Sequence, residues 1–306
     1  MKKQYKTTIG GQAVIEGVMM RGPDISALAV RKPDGEINVT HWNNKPAAAW
    51  YRKTPFVRGI FNLGSSLSVG YKCLMRSANI AGFEEEPSKF EKWLAKKLGK
   101  HFSSFMSMLA LVLGVALAIF LFTILPTLLT SLAAQFLPSD LARTVLEGVL
   151  RIAILITYMA LVSLMPDIRR VFEYHGAEHK TIFCYERGKE LTVGNVRTES
   201  RFHPRCGTSF LLIVLVVSIL LFSALSWESV LTRILTRLAM LPVVVGIAYE
   251  IVKFTGRHDN AFTRFISAPG IFLQRITTKE PDDLQIEVAI ASMKQVIPQE
   301  KGSDEW

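Results

Sequence analysis

The chain alternates long uncharged apolar stretches with basic, polar connections. From Phe102 to Ser139 there is no Asp, Glu, Lys or Arg, and from Gly207 to Trp227 there is none either. The hydrocarbon core of a bilayer takes a helix of about 20 mostly apolar residues, so both runs read as membrane spans. Two shorter runs follow the same logic. Ile152 to Pro166 is uncharged, with Glu147 and Arg151 at its N-terminal end, and Leu238 to Tyr249 lies between Arg237 and Glu250. Long Arg side chains at helix ends snorkel to the interface, which keeps both as spans. The competing reading of such short runs is a pair of buried core helices. The expected spans are 104–126, 148–166, 207–227 and 234–252. Pro126 is expected to kink or end the first helix, leaving residues 127–138 as a short external or re-entrant piece.

Outside these runs the periodicity changes. Residues 1–50 read as β, with strand-like runs at Ile25 to Arg31 and Glu36 to Trp42 and a turn at Lys32-Pro33-Asp34-Gly35 between them. Gly10, Gly11, Gly17 and Gly22 punctuate the stretch before. Residues 56–82 read as a mixed apolar helix that lies on the membrane or packs on another helix. Glu84-Glu85-Glu86-Pro87 is expected to break the chain, and Phe90 to Lys100 is a basic amphipathic stretch of interfacial type. A loop rich in Gly, Pro and Asn follows the fourth span. Thr278 and Pro281-Asp282-Asp283 supply the start signals of a last helix, 282–296. Residues 298–306 read as a loose tail.

Charge then orients the pattern. The chain has 306 residues, 49% of them apolar, and a formal net charge of +10. The Lys and Arg residues crowd three regions: the segment before the first span, the connection between the second and third, and the stretch after the fourth. By the positive-inside rule these face the cytoplasm, with both termini inside. The excess positive charge is a topology signal and an attraction to anionic membrane lipid. Nucleic-acid binding is excluded, since no basic motif carries interleaved aromatics. No apolar leader precedes Phe102, so no secretory signal is expected. Cys73, Cys184 and Cys206 fall on the cytoplasmic side, where thiols are free or bind metal.

The candidate chemistry gathers in that central cytoplasmic connection, residues 167–206. Glu173-Tyr-His175-Gly-Ala-Glu178-His179-Lys180 contains H-x-x-E-H, the inverted zincin pattern. On a helix His175 and His179 are one turn apart and reach one metal ion, with Glu178 placed as general base. Three fixed positions make a short motif that chance also produces. Arg201-Phe-His203-Pro-Arg205-Cys206-Gly207 adds His203 and Cys206 at a workable spacing. Four ligands would close a structural tetrahedral site; three, with one of these two outside the shell, would leave a catalytic position open. Past the fourth span, His258 reads as a ligand or base with Asp259 as partner. Glu250, inside a membrane segment, is a functional candidate or one half of an interfacial pair with Lys253. His41 and His101 read as surface or packing residues, and Cys73 and Cys184 as small core residues.

At these residues the sequence resembles the YqhQ-like bacterial membrane proteins, grouped as domain of unknown function 1385 and labelled predicted metal-dependent enzymes. The carriers are Gly10-Gly-Gln-Ala-Val-Ile-Glu-Gly-Val-Met-Met-Arg-Gly22, the Glu173 to Lys180 string, His203-Pro-Arg-Cys-Gly-Thr-Ser-Phe210 and Thr278-Lys-Glu-Pro-Asp-Asp283. The resemblance covers almost the whole chain. It implies a bacterial inner-membrane location and supports a divalent metal, zinc by donor type. It also implies that Glu16 and Arg21 belong to the family's signature, which spacing alone does not single out. Glu173, Lys180 and Arg205 enter as site candidates within the quoted strings.

The expected architecture is an α-helical multi-pass membrane protein of about four spans with a small N-terminal β-containing cytoplasmic region. Residues 1–100 form a β-hairpin with interfacial helices, 101–256 the membrane domain, and 257–306 a cytoplasmic C-terminal segment. Three functions fit: a metal-dependent hydrolase at the cytoplasmic membrane face, a scaffold or assembly factor that binds a protein partner and has a structural metal, or, more weakly, a transporter using Glu250 and the segments interrupted by Pro126 and Pro242.

Overall fold

The computed structural model describes residues 5–44, 51, 54–83, 93, 96–99, 102–137, 139–223, 229–258, 260–300 and 302–305. Four strands come first: β1 (Gly10–Val14), β2 (Gly17–Arg21), β3 (Ile25–Arg31) and β4 (Ile37–Asn43). The helices that follow are α1 (Val57–Ile80), α2 (Phe102–Ile119), α3 (Leu125–Ala133), α4 (Asp140–Val162), α5 (Pro166–Glu186), α6 (Val193–Arg197), α7 (Gly207–Ser223), α8 (Val230–Arg257), α9 (Ala261–Thr277) and α10 (Asp283–Val296). The expected break at Glu84 to Pro87, and His101, lie outside the described residues, as does most of the amphipathic stretch from Phe90 to Lys100. The chain divides into two compact units, residues 1–83, 158–217 and 242–306, and residues 84–157 and 218–241.

In the first unit the strands form an antiparallel meander in the order β1-β2-β3-β4. Both faces are covered, and strand alternation decides which side chain goes where. Val18, Met20, Ala27 and Ala29 face α5 and α10, where Tyr174, Ala177, Ile286, Ala289 and Met293 complete a dry core. Val14, Met19, Leu28 and Val30 face the other way, onto Cys73 of α1. The β3–β4 hairpin and its Lys32 to Gly35 turn match the sequence expectation, with Gly35 at φ 88°. The β1–β2 hairpin was not expected. Its glycines weaken strand propensity, and its two-residue turn places Glu16 at φ 50°, a left-handed conformation unusual for a residue with a side chain.

Two further expectations are corrected. The stretch after Arg257 is not a loop: α9 begins at an Asn260 capping box, in which Asn260 accepts from the Thr263 N–H and Thr263 bonds back. The C-terminal tail is tied down. The Thr8 N–H donates to the Asp304 carbonyl at 2.6 Å, the Tyr185 hydroxyl donates to the Asp304 carboxylate at 3.2 Å, and Asp304 is buried.

The second unit is helical. The first apolar run does not end at Pro126. A π turn at Phe120–Ile124 absorbs the missing N–H and the ring's clash with the preceding turn, and helix resumes to Ala133. Residues 127–136 are therefore helical and continue the first apolar helix past Pro126. Thr127 is buried here, donating to the Glu147 carboxylate at 2.9 Å. That carboxylate also accepts from Arg151 at 2.8 Å and from both terminal nitrogens of Arg237, with Arg233 at 3.7 Å. Three helices are long and apolar enough to cross a membrane: Phe105–Phe136, Asp140–Val162 and Val230–Arg257. Gly207–Ser223 is a shorter apolar helix.

Candidate metal centre

Helix α5 begins with Pro166 in its first turn and Asp167 beside it, a favourable N-terminal pairing. Nine residues on, helical spacing sets His175, Glu178 and His179 on one side. Cys206 meets them from the residue before α7. The ligand atoms of His175, His179 and Cys206 all lie within 4.8 Å of one another. The His175 Nε2 is 3.2 Å from the Cys206 sulfur.

The outer contacts fix the rings. His175 Nδ1 lies 2.8 Å from the Thr277 carbonyl, and His179 Nδ1 lies 2.6 Å from the Arg201 carbonyl. A carbonyl only accepts, so Nδ1 carries the hydrogen in both rings and Nε2 is the nitrogen aimed inward. That is the tautomer a metal ligand requires. Two imidazole nitrogens and a thiol are donors that suit zinc, and as three ligands they would leave a fourth position open.

Glu178 stands beside this group. It is buried, and its Oε2 has no hydrogen-bond partner among the described residues. The Gly11 backbone N–H is close enough to favour the charged carboxylate, though burial outweighs it. A Cβ on Gly11 would lie 2.8 Å from the Glu178 Cδ, so only glycine admits the carboxylate at this distance. A cavity of about 140 Å³ opens between the Thr7 to Gly11 edge, Glu178, His179, His203 and Cys206. An orphaned buried oxygen on a small polar cavity is the environment that a metal and its water would complete.

The electrostatics agree with the geometry. Burial opposes ionisation of Cys206, but the imidazoles of His179 and His175 outweigh it and hold the thiol well below its ordinary value. Burial also disfavours charge on His175, yet the Cys206 thiolate raises it to about 9. Each group thus favours the charged form of the other. Burial pushes Glu178 up, partly offset by His175 and His179.

His203 is placed differently from the other three. Its Nδ1 accepts from the Arg205 N–H at 3.3 Å and its Nε2 lies 3.5 Å from Glu186. Burial drives it down to about 4 despite Glu186, so it is a neutral ring packed against Phe183. Arg205 pairs with Glu186. Lys180, buried, donates to the Arg197 carbonyl at 2.9 Å and pairs with Glu280. Glu173 accepts from Gln285 at 3.0 Å. Glu16 takes Arg170 and the Tyr174 hydroxyl, the latter at 3.0 Å, which anchors its left-handed turn to α5. Arg21 is exposed at the end of β2. Glu250 is paired with Arg58 of α1 and accepts from the Phe56 N–H at 3.2 Å, rather than pairing with Lys253. His258 is exposed and stacked on Phe254. Asp259 lies outside the described residues. Cys73 and Cys184 are buried, as expected of core residues.

Sequence reasoning did not find Gly11, Glu186, Arg170 or the Thr277 and Arg201 carbonyls. Glu186 was within reach, since it follows His179 by two helical turns on one face of α5. The carbonyls carry no side-chain signal at all.

The chain belongs to the family described as Protein of unknown function (DUF1385), whose model matches residues 54–299. It is also similar to a protein named Uncharacterized protein YqhQ from Bacillus subtilis (strain 168), at 35% identity over 99% of this chain and 96% of that relative. No solved structure matches.

Proposed function

We propose that this chain is an integral protein of the bacterial cytoplasmic membrane, bearing a zinc-dependent hydrolase site on its cytoplasmic side with both termini there. The observation that carries the hydrolase reading is the three-ligand group of His175, His179 and Cys206 beside the orphaned, buried Glu178 carboxylate. Three ligands suit a working site better than a structural one. The membrane reading is supported by the three long apolar helices, with Gly207–Ser223 taken as a fourth span, and by the crowding of Lys and Arg at one side.

A divalent ion held by this group supplies Lewis acidity next to the cavity. His175 and His179 present their Nε2 atoms because the Thr277 and Arg201 carbonyls hold Nδ1–H. Glu178, with its proton affinity raised by burial, takes a proton from water in the cavity and returns it to the leaving group as water adds across an acyl or ester bond. The missing side chain of Gly11 leaves the carboxyl its place at the cavity. The scaffold reading has one observation in its favour: the same carbonyl contacts tie α5 to α9 and to the connection before Cys206.

Metal analysis of the purified full chain tests the proposal together with a Glu178→Gln variant in cells. One zinc per chain with loss of cellular function in the variant is the expected result. A metal-free preparation, or full function from Glu178→Gln, would end the hydrolase reading.

A further inference from the structure

A second opening adjoins the cavity beside Glu178. It is a groove of about 360 Å³ between the sheet and α1, with Thr8, Gly10, Gln12, Arg21, Ser66 and Val69 in its lining. Strand pairing explains what faces it. Gly10 stands opposite Arg21 and Gln12 opposite Met19, and residues directly opposed on paired strands share a face of the sheet. That face is turned to α1. Gly11 and its partner Met20 belong to the other face, turned to α5 and Glu178. Strand β1 is the edge of the sheet. The groove and the cavity therefore lie on the two sides of one edge strand, and Thr8, Gly10 and Gly11 line both.

No side chain stands between them at the two glycines. Gly11 has no room for one, because Glu178 occupies the place. Gly10 is different: a Cβ there would meet nothing within 4 Å. Packing does not require a glycine at position 10, and its bareness keeps the way across the strand edge open, as where a ligand passes close to backbone. Among the described residues that line the groove, Arg21 alone is charged. It is exposed, and neither it nor Gln12 or Ser66 has a side-chain hydrogen bond or ion pair among the described residues. Met19 and Val69 supply an apolar wall. A few convergent polar groups on an apolar wall mark a small-molecule site, and a guanidinium fork matches a carboxylate or phosphate in shape.

We propose that the groove is the recognition arm of the hydrolase site: Arg21 takes the oxyanionic end of an acyl substrate, whose chain crosses Gly10 and Gly11 to bring the acyl carbon beside Glu178. The proposal rests on the hydrolase reading above and gives it a substrate class, an ester or amide that carries a carboxylate or phosphate at a distance from the scissile bond. Arg21 binds and positions; it takes no part in the chemistry.

The test uses the zinc-loaded full chain in detergent and a series of hydroxamic acids, whose hydroxamate chelates zinc. Their alkyl tethers increase in length and end in a carboxylate, a phosphonate or a neutral carboxamide. Affinities are read by isothermal titration. At the length that spans the passage, a charged end is expected to bind about tenfold tighter than the carboxamide, the scale of a hydrogen bond to a charged group. Whether carboxylate or phosphonate leads names the anion, and either order supports the site. The preference is expected to vanish in Arg21→Gln and to survive in part in Arg21→Lys. Gly10→Val, whose side chain enters the groove on the Arg21 face, is expected to abolish it by closing the passage. Far-UV circular dichroism and zinc content of each variant control for folding. No preference at any tether length, or one that persists in Arg21→Gln, would overturn the groove, while bound zinc and hydroxamate leave the hydrolase reading standing. A chain that holds no zinc and binds no hydroxamate removes both.

Discussion

Glu147→Gln is the sharpest test of the helical unit. Glu147 is 1% exposed and accepts from Thr127, Arg151 and both terminal nitrogens of Arg237, with Arg233 at 3.7 Å. Three guanidiniums surround this one carboxylate. The Phe222 ring lies 5.5 Å from Arg151 and 5.3 Å from Arg237, a partial compensation from its face. The amide keeps the shape but loses the charge, and half of its hydrogen-bonding edge becomes a donor aimed at donors. Removing one partner of a buried pair costs about 3–5 kcal/mol because the opposite charge is left uncompensated. That is about two to four decades in the folding equilibrium. Arg233→Gln is the comparison. At 3.7 Å it lies beyond hydrogen-bonding distance of Glu147, and its removal relieves repulsion from Arg237 while losing attraction to Asp140. The expected effect is smaller than that of Glu147→Gln. Both are read by reversible denaturant unfolding of the purified chain in one detergent. Equal destabilisation by the two variants, or none by Glu147→Gln, would refute the charge argument.

Three other outcomes follow from the first unit. Gly11→Ala puts a Cβ 2.8 Å from the Glu178 Cδ, so the carboxylate must retreat by about half an ångström. Zinc content is expected to persist while cellular function falls about a hundredfold, the usual scale for a misplaced catalytic group; full function would show that Glu178 needs no exact position. Zinc affinity should depend on pH with a definite sign. The His175 proton, held up to about 9 by the Cys206 thiolate, must leave before the nitrogen can bind metal. Each binding event below that pH releases about one proton, so affinity measured by chelator competition rises about tenfold per unit and levels above about pH 9; a flat profile would contradict the pair. Gly176→Ala places a Cβ 2.0 Å from the Lys279 carbonyl and is expected to destabilise by about 1–3 kcal/mol, whereas Gly194→Ala, with open space around it, should not. Thermal unfolding of the two variants side by side decides this.

The parts of the fold that were legible are those in which one periodicity runs uninterrupted. The β3–β4 hairpin has β-branched alternation around a Pro-Asp-Gly turn. Helix α10 was found to within a residue because Asp282 caps it and Pro281 precedes it. The apolar runs were equally plain. What stayed hidden depended on tertiary partners. Helix α9 carries Pro269 and Gly270 in its middle, and its Phe262, Phe265 and Phe272 are exposed, so it reads as a loop until packing of Ser267, Gly270 and Gln274 is seen. Within the site, the His175, His179 and Cys206 grouping was legible from residue type and helical spacing. That His203 lies beside the group, its ring 5.6 Å from that of His179, was one of two readings the residue types allowed; choosing between them took the contacts with Glu186 and Arg205.

The N-terminal glycine string and the His motif are parts of one construction. Helix α5 can bring Glu178 to the cavity only because Gly11 has no side chain, and β1 can lie there only if its hairpin with β2 closes in two residues. That closure forces Glu16 into a left-handed conformation, which costs about 1 kcal/mol or more for a residue with a Cβ. Arg170 and Tyr174 hold the Glu16 side chain from the same helix that carries His175, Glu178 and His179. The strain in the turn and the close approach at Gly11 thus stand on opposite ends of one hairpin, both referred to α5. A glycine at position 16 would relieve the turn and release its grip on Arg170. The outcome expected of Glu16→Gly is therefore not simple stabilisation but a looser β1 edge, with Glu178 less well aimed and zinc still bound. Hydrogen exchange at the β1 amides reads the first effect, and metal analysis reads the second. Unaltered exchange at β1 would show that the turn is set by the sheet alone and that Glu16 serves some other end.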